Sequence, residues 1–360
     1  MTNPEAASTP PEVLEVGWHN VVLSYAGVAE EYRRLRSAAV VVDRSHRGRM
    51  RFFGEKSGEA LTGLVTTDVL GIEAGHGGYG AALSAKGRII ADLRILAGTG
   101  GGSYLIDTPA KAWPGFLAMV KKYVNPRVSG YRDDSHAIRD LGIFGPRSRE
   151  IVEALTGAGN DALSALEPYH HLDVVVDGQP VTVLRSPDLG GIEGYELFAP
   201  FELFDSLWRR AIDAGASPAG LAAWEVARVE AGRPEWGIDI DDTTIPQEAN
   251  FDDLGGGAIS YTKGCYIGQE VVARVHFRGH VNRHLRGLRS GNDDPPPTGA
   301  QLIDDGGNHV GDVRSSVVSP RLGGLAIGMV RREVAPGAAL KAKWETGERR
   351  VEVTALPFPD

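Results

Sequence analysis

The chain holds a single cysteine, Cys265, in 360 residues, so no internal disulfide can form and a reducing compartment suits it. No apolar run approaches the roughly 20 residues that span a bilayer. The N-terminal MTNPEAASTPPEV lacks the basic start and apolar stretch of a secretory signal. We therefore expect a cytoplasmic protein with no membrane partner. Lys and Arg number 38 against 47 Asp and Glu, a formal charge of -9, which argues against sequence-independent nucleic-acid binding because that relies on surplus cations facing phosphates. No HExxH, CxxC, Walker or GxSxG sequence occurs. GHGGYG at 75–80 fails the GxGxxG spacing, and GTGGGS at 98–103 leads into a strand rather than a helix that would hold a pyrophosphate; both read as loops. His276 and His280 stand four apart, but Arg278 and Gly279 between them favour a turn or strand, so they read as surface histidines and no metal site is expected.

What is present is a globular composition, 42% hydrophobic and 24% charged, in a chain long enough for two or three cores. Residues 1–14 read as a disordered tail. AGVAEEYRRLRSAAV, residues 26–40, spaces Val28, Tyr32, Leu35 and Ala39 as one apolar helix face, with Glu30, Glu31 and Arg33 outside. GYGAALS and RIIADLRIL read as a hairpin turning at Ala85, Lys86 and Gly87. Pro114 is placed in the first turn of a helix and Pro146 at the first helical position of another. Small antiparallel groups of strands alternate with helices, which predicts α+β packing rather than a doubly wound sheet. SGNDDPPPTGA, residues 290–300, reads as a stiff linker, and the Gly- and Pro-punctuated short strands of 301–360 as a small β-barrel or sandwich.

Two positions carry chemistry on physical grounds. Asp92 is the lone acid within the apolar strand RIIADLRIL, where burial is costly unless a ligand or donor meets the carboxylate; the alternative is an edge strand with Asp92 facing water. Cys265 lies in KGCYIGQE, just before a helix expected to begin near Gly268. Lys263 beside it, with Arg274 and Arg278 further along, would favour a thiolate; the alternative is a buried small hydrophobe.

KGCYIGQE, with Lys263, Gly264, Cys265, Tyr266, Gly268, Gln269 and Glu270, resembles the signature of the YgfZ family of folate-binding proteins, relatives of the glycine-cleavage T-protein, an aminomethyltransferase. The blocks GYGAALSAKGRIIADLRIL, IFGP, GYELFAP and GLAAWEVARVEAGRPEWGIDI are similar to both families and occur in their order. The resemblance implies a T-protein-like ring of related α+β domains around a folate site, plus a C-terminal β-barrel, with folate-binding units over 15–134 and 135–289. It implies tetrahydrofolate or a related folate as ligand, and an accessory role in iron-sulfur cluster assembly or repair, with iron-sulfur client enzymes or assembly proteins as partners. The rival implications are a folate-dependent aminomethyltransferase or demethylase, and a tRNA-binding modification factor using the basic stretch Lys263, Arg274, Arg278, Arg283 and Arg286. Carried over by position, Tyr79, Asp92, Asp107, Glu196 and Arg228 would line the folate pocket, Asp92 and Cys265 would do the chemistry, and Cys265 would sit at the pocket mouth. The chain departs from the T-protein pattern in having Ala91 before Asp92 where two acids are usual, Asp107 where asparagine is usual, and the cysteine itself.

Overall fold

The computed structural model describes residues 11–187, 189–254 and 257–359. Residues 1–10 of the expected tail lie outside the described residues, but its end does not: Glu12–Val16 pairs antiparallel with His19–Ser24 in a two-stranded hairpin. Two larger sheets follow. The first is antiparallel, in the order Gly77–Leu83, Ile89–Ala97, Ser103–Thr108, Gly48–Phe53, Gly130–Asp133. Its core packs Met50, Leu93, Ile95 and Ile106 against Phe116, Met119 and Val120 of the helix Trp113–Tyr123, whose first turn carries Pro114. The second runs His171–Val176, Gln179–Arg185, Gly194–Pro200, Ile138–Phe144, Val40–Asp43, Ser217–Pro218, and buries Leu141, Ile143, Val183 and Leu197 under the helices Ser148–Thr156 and Phe204–Asp213.

The two units are not consecutive in sequence. Val40–Asp43 pairs with Ile138–Phe144 in the second sheet, and only then does the chain enter the first sheet at Gly48. The short segment between, Arg44–Arg47, is thus held at the seam of both sheets. The hairpin turn at Gly87 forms as its sequence predicts, with φ of 71° there and a Gly87 N–H bond to Ser84 O.

Three expectations change. The helix is Val28–Ser37, and Glu31 is buried rather than outside: its carboxylate accepts from Ser24 Oγ and the backbone N–H groups of Tyr25, Ala26 and Gly220. Pro146 precedes the N-cap residue, Arg147, instead of opening the helix. The Pro-rich 290–300 segment does not precede the barrel. Arg283–Arg289 is already a barrel strand, closing the six-stranded ring by pairing with both Gly323–Arg331 and Gly347–Thr354, so 290–300 joins two barrel strands. No helix among the described residues is long and apolar enough to cross a membrane.

Candidate functional site: a charged seam between two sheets

In the first sheet the register places Tyr79 opposite Arg94, Arg94 opposite Asp107, and Asp107 opposite Arg49. Asp92, two residues before Arg94, shares its face. Four strands therefore present one polar row where the sheet meets its neighbour. In the second sheet Glu196 lies opposite Gly142, and Asp140, two residues before Gly142, is on that same face. Gly142 leaves the room this needs, because a Cβ there would meet the Phe144 ring at 2.4 Å and Arg44 Cδ at 3.4 Å.

The rows interlock through four buried arginines, Arg44, Arg47, Arg49 and Arg94. Asp107 is held by Arg47 Nε at 2.6 Å, Arg94 Nη2 at 2.8 Å and Arg49 Nη2 at 3.3 Å. Arg94 also donates to Glu196 at 2.6 Å, and Arg49 to Asp140 at 2.9 Å. Burial alone would raise the Asp107 carboxyl, but Arg47, Arg94 and Arg49 outweigh it and hold it below its ordinary value. Burial pushes the Asp140 carboxyl well up, and repulsion from Glu196 adds to this; the Glu196 carboxyl is carried the other way, because Arg94 and Arg44 overcome its burial. Among the described residues Asp140 Oδ1 and Glu196 Oε2 have no hydrogen-bond partner, and the only cation on Oε2 is Arg44 Nε at 3.5 Å.

Asp92 differs from these. It is 4% exposed, so the buried reading of its strand position holds and the edge-strand alternative fails: Ile89–Ala97 lies inside the sheet. Its Oδ2 accepts from Tyr79 Oη at 2.8 Å, while Oδ1 has no hydrogen-bond partner among the described residues. Burial pushes its carboxyl up to about 6, against the pull of Arg47 and the Tyr79 hydrogen bond. A carboxyl that exchanges its proton near neutral pH, with one oxygen open, suits a general acid and base. Asp92 and Tyr79 line a cavity of about 60 Å³ with Arg44, Glu196, Arg228, Trp224 and others. That volume is far below the roughly 300–1,000 Å³ of ligand pockets, so in this conformation the cavity is too small for a ring-sized ligand. Trp224 stacks on Arg44, whose guanidinium lies 3.7 Å from the ring centroid and whose Nη1 has no hydrogen-bond partner among the described residues.

Tyr79, Asp92, Glu196 and Arg228 thus meet at one cavity, and Asp107 supports it from behind without lining it. Arg228 is committed within the protein, at 2.6 Å from Asp239, 2.9 Å from Glu225 and 2.8 Å from Ser315 Oγ. Cys265 does not sit at the mouth: it is exposed and lines none of this cavity. KGCYIGQE is instead an anchored segment. Lys263 donates to the carbonyls of Thr62, Val65 and Thr67, burial pushing its ammonium down to about 8. Gly268 has φ of 83°, and a Cβ there would meet Ser84 O at 2.5 Å. Tyr266 is buried, its N–H bonded to Gln269 Oε1, and Glu270 pairs with Arg274 on the exposed helix Gln269–Arg278. Gly264 has open space around it. His276 lies within that helix, stacked on Tyr261 at 3.7 Å, and no metal-binding cluster occurs among the described residues. Of the basic stretch, Lys263, Arg274 and Arg283 are paired internally.

Sequence reading missed Arg44, Arg47, Arg49, Arg94 and Asp140. A signal was present: RSHRGRMR packs four arginines around a strand start, and Arg94 shares the face of Asp92.

A seam of buried carboxylates between two α+β units, in a chain that ends in a six-stranded barrel, defines a class, and the comparisons agree with it. Residues 11–254 match the GCVT N-terminal domain and residues 283–360 the glycine cleavage T-protein C-terminal barrel domain. The chain belongs to the glycine cleavage T-protein family. Among its relatives are proteins named aminomethyltransferase from Rubrobacter xylanophilus, 30% identical with 95% of this chain and 88% of that one covered, and from Saccharopolyspora erythraea, 30% identical with 95% and 92% covered. The crystal structure of the glycine cleavage system aminomethyltransferase T from Bartonella henselae superposes with a TM-score of 0.86 at 23% identity, covering 97% of this chain and 94% of that one.

Proposed function

We propose that the protein binds tetrahydrofolate at the seam cavity and transfers a one-carbon unit between the folate and an amine, with Asp92 as general acid and base. The observation that carries this is the open, half-titrating Asp92 carboxyl beside unpaired Arg44 Nη1. Glu196 Oε2 and Arg44 Nη1 offer the acceptor and the donor that the N–H and carbonyl edge of a pterin requires, which leaves Asp92 Oδ1 for the amine. Family membership and relatives named aminomethyltransferase support the same reading. When bound, the folate supplies the nitrogen that accepts or gives up the carbon. Asp92 protonates or deprotonates the amine at Oδ1, Tyr79 fixes the carboxyl through Oδ2, and Glu196, braced by Arg94, orients the ring. Trp224, on the cavity wall, is the reporter: anaerobic titration with tetrahydrofolate should quench its fluorescence saturably, and one-carbon transfer should be lost in Asp92→Asn. A linear titration would sink the proposal.

The accessory reading, membership of the YgfZ branch with a role in iron-sulfur assembly and tRNA-modifying enzymes, is favoured by one observation, the outward-facing Cys265 in an otherwise anchored KGCYIGQE. It belongs in the cytoplasm, with iron-sulfur enzymes as clients. Its test is the activity of such enzymes in cells carrying only Cys265→Ala; unchanged activity would remove it.

A further inference from the structure

A second cavity, far larger, lies across the wall from Asp92. It is a cleft of 1210 Å³ bounded by the N-terminal hairpin, one face of the helix Leu221–Glu230 and the barrel strand His309–Ser319. Its walls are mostly apolar, with Leu14, Val16, Leu23, Val226, Ile238 and Val317 facing it. The cations at its edge are engaged: Lys111 Nζ donates to Gly237 O at 3.2 Å, Arg314 pairs with Asp241 at 3.1 Å and Asp312 at 2.5 Å, and Arg321 pairs with Glu230 at 3.2 Å. Glu235 is different. It lines both this cleft and the Asp92 cavity, and among the described residues its carboxylate has neither a hydrogen bond nor an ion pair. Arg47 and Arg228 attract it through space from the seam side without pairing with it, so on the apolar side of the cleft the carboxylate still lacks a contacting cation. His46 lines the same cleft, 4% exposed, and its Nδ1 has no hydrogen-bond partner among the described residues. Burial, with Arg44, Arg47 and Arg49 around it, holds its imidazole well below the ordinary value, so His46 is neutral and adds no charge opposing a cation.

We propose that this cleft is a second ligand site for a cationic molecule with an apolar body, an alkyl or aryl amine, seated with its ammonium at Glu235 and its body along the hairpin and barrel strand. Glu235 places that ammonium on the wall shared with Asp92. That the amine is the one-carbon donor rests on the function proposed above; the preference of the cleft for a cation does not.

The experiment is calorimetric titration of the full chain with n-hexylamine and, as the uncharged match, n-hexanol, with tetrahydrofolate titrated separately. Hexylamine should bind about tenfold more tightly than hexanol, the worth of one partly buried ion pair, and Glu235→Gln should erase the difference. Ala222→Trp, which fills the cleft from the helix side, should weaken both probes and leave the folate titration unchanged. Equal affinity for the two probes, no saturable binding of either, or a preference that survives Glu235→Gln would overturn the proposal. Amine binding without folate binding would instead overturn the folate reading and leave the cleft standing.

Discussion

The sheet seam and the KGCYIGQE segment are both dense in polar groups, but they dispose of them differently. At the seam, Asp92 Oδ1 and Arg44 Nη1 are buried without hydrogen-bond partners among the described residues, a state that is costly unless something supplies the missing bonds. In the motif, Lys263 is met by three carbonyls, Gln269 by a backbone N–H and Glu270 by Arg274, so almost nothing is left to receive a ligand except an exposed thiol. The difference separates two kinds of specific sequence. One builds a site, and the other fastens a loop of the second half of the chain onto the first sheet and its hairpin.

The sharpest way to test that contrast is to remove the charge that holds the seam. Asp107→Leu leaves Arg47, Arg49 and Arg94 short of a buried counter-charge and should cost about 3–5 kcal/mol in urea unfolding. A loss below about 1 kcal/mol, the range of exposed pairs, would mean that the arginines find other partners and that the seam is not an integrated network.

Asp92→Asn should act in the opposite direction. Its carboxyl is raised to about 6 in the fold from 3.8, so the folded state prefers the protonated form and ionisation is penalised. The penalty is absent below pH 4, grows as the pH rises through 4 to 6, and is complete above 6. The amide removes it, so the variant should be more stable by about 3 kcal/mol at pH 8 and no more stable at pH 3. One-carbon transfer should meanwhile fall by about 10²- to 10⁴-fold. Gain of stability with loss of activity is the mark of a group kept for chemistry; equal stability at both pH values would show that Asp92 is not strained.

Gly268→Ala probes the other region. At φ of 83°, with Ser84 O 2.5 Å from the new Cβ, the substitution should cost about 2 kcal/mol and loosen the loop from the hairpin without changing folate affinity. A fall in folate affinity matching that cost would tie the motif to the site and erase the contrast.

The sequence-level reading reached these residues unevenly for physical reasons. Asp92 stands out because one acid in an apolar strand is anomalous wherever the strand lies, and Gly87 and Gly268 because local backbone demands are written locally. The partners of Asp107 do not stand out. Arg47, Arg49 and Arg94 meet it through strand register and through a segment held between two sheets, and neither is a local property. Helical spacing alone puts Glu31 on the outside face because it does not register three backbone N–H groups arriving from a neighbouring turn and from Gly220. The barrel start at Arg283 was displaced to 301 for a similar reason, since three consecutive prolines signal a break in structure equally well between domains or between strands.

Cys265→Ala carries the smallest expected effect and the cleanest division. The side chain is exposed and lines no part of the seam cavity, so stability should change by less than about 0.5 kcal/mol and the tetrahydrofolate titration should be unaltered. If folate affinity and one-carbon transfer both survive while cells lose iron-sulfur enzyme activity, the seam and the thiol perform separable tasks on one scaffold. Should the substitution impair folate binding itself, the loop must move far enough to bring the sulfur to the cavity. The 3–3.5 Å approach that reacting atoms need would then be reached only in a conformation different from this one.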